Sequence, residues 1–163
     1  EERNEVGYSN FHDDVFNFLN QIKLRLNSDN YTHFYFIYAL LNGPNFKKLY
    51  NNNRILIVTN YSEDKKNRII QTLDDFGVSK VEFLLINETG SMFEELDQEY
   101  LKSLRGKIDL VLVGAGLGSC NILLQLAVLN TVCIDAGINI ECLANPSLKT
   151  TRIFLKPYLA ELS

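Results

Sequence analysis

The chain has 163 residues, 46% hydrophobic and 22% charged, with 16 basic against 20 acidic side chains and a formal net charge of -4. That balance excludes a disordered chain and describes a globular domain able to bury a core without disulfides or metal. It also excludes a polyanion-binding surface, which needs clustered Lys and Arg, and no run approaches the roughly 18 apolar residues of a membrane span.

The sequence begins at Glu1 without Met and reads as a trimmed piece of a longer protein. In chain order, Phe11, Val15, Phe18, Leu19, Ile22 and Leu26 recur at helical spacing and predict a helix over 11–26, with Asn10 as its N-cap. The stretch 31–41 is apolar nearly all round, as in a buried helix, and Gly43-Pro44 ends it. Phe46 to Tyr50 adds one turn. Residues 1–53 are thus a helical lead-in. They cover the core or form an oligomer surface, and the pattern suits both.

The period then changes. Arg54 to Thr59 reads RILIVT, apolar and β-branched between asparagines, and predicts a strand covered on both faces. Ser62 is placed to cap a helix, with Glu63 and Asp64 at its positive end. Ile69, Ile70, Leu73 and Phe76 give that helix its apolar face, and Gly77 stops it. KVEFLLI over 80–86 predicts a second strand. Ser91 and Glu94 form an S-x-x-E capping box, so that Phe93, Leu96, Tyr100 and Leu104 line a helix ending at Gly106. IDLVLV over 108–113 is the third strand. A glycine-rich turn, Gly114 to Gly118, follows, and an apolar helix starts at Ser119. TVCID over 131–135 is the fourth strand. The tail, 142–163, contains the extended run RIFL, which adds an edge strand or covers the sheet.

Strands alternating with helices over 54–141 predict a Rossmann-like three-layer α/β/α fold with a mainly parallel sheet and right-handed crossovers. Lead-in, core and tail read as one domain, without repeats or a low-complexity linker.

In such a sheet, ligands bind beyond the carboxyl ends of the strands. Four segments qualify: Asn60 to Ser62, Asn87 to Gly90, Gly114 to Ser119, and Asp135 to Glu141. The third is the most specific. Strand, then GAGLGS, then helix lets the backbone turn sharply and present N–H groups to a phosphate or diphosphate. Gly114, Gly116, Gly118 and Ser119 are its candidate residues. A bland reading, in which the glycines serve only the turn and close packing, stays open. The G-x-G-x-x-G dinucleotide fingerprint is matched at Gly114 and Gly116 but has Ser119 in its third place. Asp135, Gly137 and Glu141 form a second cluster, in which a carboxylate past a strand end suits a ribose hydroxyl, a metal or a proton. Asp97-Gln98-Glu99 has the form of a metal-binding D-x-E. Placed mid-helix it is rejected, because residues two apart point to nearly opposite faces. His12 and His33 are isolated, Asp13-Asp14 are adjacent acids near a helix start, and Cys120, Cys133 and Cys142 read as buried reduced thiols of a cytoplasmic protein.

The run Asp109 to Glu141, DLVLVGAGLGSCNILLQLAVLNTVCIDAGINIE, resembles the closing βαβ unit of the bacterial GT-D-type glycosyltransferases. In that family a strand ends in a glycine-containing turn, a helix follows, and the next strand ends in Asp-x-Gly with acidic residues behind. RILIVTN and KVEFLLIN fit the same order. The resemblance implies a nucleotide-sugar donor and a divalent metal, Mn or Mg. Gly114, Gly116 and Ser119 would lie near the donor, and Asp135, Gly137 and Glu141 would match the terminal motif. The chain departs from the family in two places. Ile138 stands where a His is common, and residues 1–53 hold no D-x-E.

The expected function is therefore transfer of a sugar from a nucleotide-sugar donor to a glycan or glycoprotein acceptor. Asp135 and Glu141 are the candidate catalytic carboxylates, and Asn60, Gly114, Gly116, Gly118, Ser119 and Gly137 are the donor-binding set. Two alternatives stand beside it: a non-catalytic nucleotide-binding or interaction domain, and an NAD-dependent oxidoreductase carried by Gly114, Gly116 and Asp135.

Overall fold

The computed structural model describes residues 13, 17–23, 25, 34–42, 46–87 and 91–151. The chain divides into two compact units, Glu1–His33 and Phe34–Ser163. In the first, residues 17–21 are helical, and Phe18 and Ile22 are exposed. Most of the expected helix over 11–26 lies outside the described residues. So do His12, His33, Gly43-Pro44, Glu88 to Gly90 and the RIFL run of the tail.

The second unit runs α1 (Phe34–Asn42), α2 (Phe46–Tyr50), β1 (Arg54–Thr59), α3 (Glu63–Asp74), β2 (Lys80–Leu85), α4 (Gln98–Leu104), β3 (Leu110–Val113), α5 (Ser119–Leu126), β4 (Val132–Asp135), α6 (Asn139–Ala144) and α7 (Leu148–Thr151). Single 3₁₀ turns precede and follow α5, at Gly116–Gly118 and Ala127–Leu129. The four strands form one all-parallel sheet in the order β2-β1-β3-β4. This is a three-layer α/β Rossmann-like fold.

Alternation along the strands decides which layer each side chain feeds. Ile55 and Ile57 of β1, Leu110 and Leu112 of β3, and Ile134 of β4 pack with Leu41, Ile69, Leu73, Ile140 and Leu143 of α1, α3 and α6. Leu56 and Val58, with Val111 and Val113, face the other way, onto Leu101 and Leu104 of α4 and Ile122 and Leu126 of α5. Both faces are covered, which is why Ile55 to Val58 form an unbroken apolar run within RILIVT. Polar links tie α6 to its neighbours. The buried Asn42 carboxamide donates to Asn139 Oδ1 at 2.7 Å, and Thr72 Oγ1 donates to the Leu143 carbonyl at 2.9 Å.

Several local expectations are corrected. The S-x-x-E at Ser91 does not start a helix: α4 begins at Gln98, with Asp97 as its N-cap accepting from the Glu99 and Tyr100 amides. Asp97 is thus a cap and not a mid-helix residue, and its carboxylate is committed to the backbone. Phe93 is exposed, and Leu101 joins Leu104 on the buried face. Ser62 takes the N-cap place of α3, but its hydroxyl makes no capping bond. Phe36 is exposed on a helix read as buried, and Cys120 is an exposed thiol. Among the described residues, no helix is long and apolar enough to cross a membrane.

At the amino end of the sheet, Asp109 joins β1 to β3. Its carboxylate accepts from the Arg54 amide, Nε and Nη2 at 2.9, 2.8 and 2.6 Å. These bonds hold the Asp109 carboxyl down at about 2. A carboxylate with a depressed folded pKa stabilises the fold above its unfolded value and loses that stabilisation as pH falls through the folded one. The Asp109 contribution should therefore fade between about pH 4 and about pH 2. Acid unfolding followed by circular dichroism should show a component in that window that Asp109→Asn removes. A variant with the same acid profile as wild type would deny the pair any such role.

Candidate functional site

The order β2-β1-β3-β4 puts a topological switch point between β1, whose chain leaves toward β2, and β3, whose chain leaves toward β4. Ligand crevices of open parallel sheets form there, outside the carboxyl ends. A cleft of about 310 Å³ occupies this place, lined by Asn60, Ile86, Asn87, Ser91, Met92 and the turn Gly114 to Leu117.

The turn has a definite backbone form. Ala115 lies at φ -110°, ψ 8°, and Gly116 follows at φ +55°. A bridge-region residue followed by a left-handed one is the kind of turn that can direct successive N–H groups into one concavity, an anion-binding nest. Among the described residues, the amides of Ala115, Gly116 and Leu117 donate to no backbone or side-chain acceptor, whereas the next amide, Gly118, donates to the Ala115 carbonyl at 3.1 Å. The Gly116 φ needs glycine, and a Cβ there would meet nothing within 4 Å, so open space adjoins it.

Gly118 has a different role. It sits at an ordinary φ of -80°, but a Cβ would fall 2.5 Å from Ser91 Cβ and 2.6 Å from the Ser91 carbonyl carbon. Its missing side chain lets the turn close against the 91–96 segment, which forms the far wall of the cleft. That segment is irregular because α5 holds it: Asn121 Nδ2 donates to the Ser91 and Glu94 carbonyls at 3.1 and 2.9 Å, and Gln125 Nε2 donates to the Glu94 carbonyl at 2.7 Å. Ser91 Oγ donates to the Ala115 carbonyl at 3.2 Å, joining the two walls. Gly114 is also tight: a Cβ would lie 2.9 Å from Ile140 Cδ1.

The residues singled out from sequence fall into three places. Asn60, Gly114 and Gly116 share the cleft. Ser119 and Asp135 lie together on the α5 side of β4. Asp135 alternates with Ile134, which faces the opposite layer. The Ser119 hydroxyl is buried and has no bond of good geometry; the Asp135 carboxyl is a polar group beside it. Crowding by the protein raises the Asp135 pKa above the ordinary range, and Ser119 and the Gly137 amide partly oppose this. Asp135 is exposed by area, so the effect on stability is slight.

Glu141 lies elsewhere. It stands in the first turn of α6 and pairs with Lys65 of α3 at 3.2 Å. Lys65 also lies over the Tyr61 ring at 4.6 Å, and burial together with the Glu141 charge pushes the Tyr61 hydroxyl up to about 12. Asp135 and Glu141 therefore serve different faces of the sheet and share no partner among the described residues. Asn87 and Leu117 belong to segments expected at strand ends and Ser91 to an expected capping box, whereas Met92 was not singled out from sequence, and strand order is what brings them together at the cleft.

The described residues offer no ligand set for a divalent metal. Among those described, no three His, Cys, Asp or Glu side chains converge, and Asp97 is used as a cap. The nest suits a phosphate oxygen, since it offers amides without other work.

No protein-family model, curated protein or solved structure matches the chain.

Proposed function

We propose that this chain is the donor-binding domain of a glycosyltransferase that uses a nucleotide sugar and passes the sugar to a glycan or glycoprotein. The observation that carries it is the Ala115–Leu117 nest, opening into a cleft at the β1/β3 switch point. Three uncommitted amides hold the charge that develops on a leaving diphosphate without reorganising, which is how such a step is stabilised electrostatically. The preference for sugar transfer rests on the resemblance of Asp109 to Glu141 to the GT-D-type enzymes. A thermal-shift screen of common nucleotide sugars, with and without manganese, should raise the melting temperature with at least one donor. No shift with any of them would overturn the reading.

Asp135 serves this reading as a carboxylate one strand away from the turn, in register with Val113. Asp135→Asn should fold as wild type, within about 0.5 kcal/mol for an exposed site. Donor affinity by isothermal titration should fall about tenfold, the effect of losing a charged hydrogen bond of roughly 1.5 kcal/mol. Unchanged affinity would remove Asp135 from the donor site.

The same register favours a second reading. A dinucleotide fold also places an acid at the end of the strand next to its glycine turn, where it holds a ribose. Titration with NADH separates the two: micromolar binding, about -8 kcal/mol, would favour the oxidoreductase. Donor binding without transfer to any acceptor would instead favour a non-catalytic nucleotide-binding domain.

A further inference from the structure

The cleft that holds the nest has an apolar lip, and just behind its lining the Glu94 carboxylate accepts from the Asn87 amide at 2.6 Å. Its described lining residues are Asn60, Ile86, Asn87, Ser91, Met92 and the turn from Gly114 to Leu117, none of them ionisable. Among these described residues no cation stands beside the nest, so its amides must hold an anion that water solvates well, and a bare phosphate gains little there. Yet two large apolar side chains stand at the mouth with nothing covering them. Leu117, next to Gly116, is 90% exposed, and Met92, on the opposite wall, is 51% exposed. Phe93, beside Met92, is 85% exposed. A folded chain seldom leaves large apolar groups in water on both sides of one cavity unless an apolar surface covers them.

The volume limits what that surface can be. About 310 Å³ is near the lower end of ligand pockets. It suits a phosphate with one flat ring system, and a long lipid chain would have to leave it. Met is unbranched and polarizable and packs well on ring faces and edges. Asn60 carries a carboxamide in the same lining, matched to the polar edge of a heteroaromatic ring.

We infer that Met92 and Leu117 determine specificity by closing on a planar aromatic group attached to the phosphate held at Ala115–Leu117. This rests on the anion-binding reading of the turn given above. The occupant is thus an aromatic phosphate ester, a nucleotide being the biological example, held with its ring between the lip residues and its phosphate on the nest.

Three phosphates of rising apolar area test this: inorganic phosphate, methyl phosphate and phenyl phosphate. The full chain carries ¹⁵N amides and a ¹³C methionine methyl group. Met92 is the single methionine of the sequence, so the methyl gives one resonance. All three probes should shift the Ala115, Gly116 and Leu117 amides. Only phenyl phosphate should shift the Met92 methyl, and it should bind at least tenfold more tightly than methyl phosphate. Met92→Gln should reduce that ratio to about twofold or less. Equal affinity for methyl and phenyl phosphate, or a still Met92 methyl, would overturn the lip while the nest stands. If none of the three moves the Ala115–Leu117 amides, the nest reading fails and the lip inference with it.

Discussion

Gly116→Val should abolish measurable donor binding while leaving a folded protein. The Gly116 φ of +55° lies in the left-handed region, where a β-branched side chain is strained. No packing clash adds to this, because a Cβ would meet nothing within 4 Å. The cost to stability is then the backbone strain alone, about 1–3 kcal/mol. The chain can relieve that strain by turning Gly116 to negative φ, and doing so swings the Gly116 and Leu117 amides out of the concavity. Each amide lost from a charged ligand is worth about 1.5–3 kcal/mol, so affinity should fall by roughly tenfold to a hundredfold per contact. Gly116→Asn is the control, since Asn tolerates the left-handed region. It should keep the turn and most of the binding. Thermal melts and titrations of both variants separate strain from ligand loss. If Gly116→Val binds a nucleotide sugar as wild type does, the turn is structural and the site lies elsewhere.

The contrast between Gly116 and Gly118 shows how far the sequence could be read. GAGLGS between an apolar strand and an apolar helix marks a sharp turn at strand ends, and the turn is there. What the letters do not carry is which glycine is needed for its φ and which for its missing side chain. The first depends on the Ala115–Gly116 dihedral pair, and the second on a segment some 25 residues earlier in the chain, Ser91, arriving against it. β1 was legible to the residue because a central strand covered on both faces must be apolar throughout. That uniformity hides orientation: Cys133, Ile134 and Asp135 do not tell which layer each one meets, so the separation of Asp135 from Glu141 needed the packed sheet. The start of α4 was misplaced for a related reason. Ser91 and Glu94 have capping-box spacing, but Asn121 and Gln125 take up the carbonyls of that segment and hold it open. A tertiary contact thus overrode a local signal, and the resulting irregular stretch is the wall of the cleft.

Gly118→Ala should be the most destabilising of these single changes relative to the atoms it adds. Alanine suits the Gly118 backbone, at φ -80° and ψ -6°, and is a good helix former, so local propensity predicts a gain. Packing predicts the reverse. The new methyl would overlap Ser91 Oγ and lie 2.5 Å from its Cβ and 2.6 Å from its carbonyl carbon, and the last of these is backbone. No rotamer change relieves a backbone contact, so the 91–96 segment must shift. That shift strains the bonds from Asn121 to the Ser91 and Glu94 carbonyls and from Ser91 to the Ala115 carbonyl. Overpacking of this kind costs about 1–3 kcal/mol, or a fall in Tm of roughly 3–10 °C for a chain of this size. Packing therefore wins over propensity. Because Ser91 and Met92 line the cleft, the displaced wall should also weaken phosphate-ester binding. Ser91→Gly placed in the Gly118→Ala background removes the Oγ and Cβ overlaps and should recover part of the loss, a coupling readable from a double-mutant cycle. A Gly118→Ala protein that melts within 1 °C of wild type would show that the turn and the 91–96 wall are not in close contact, and the cleft as described would not exist.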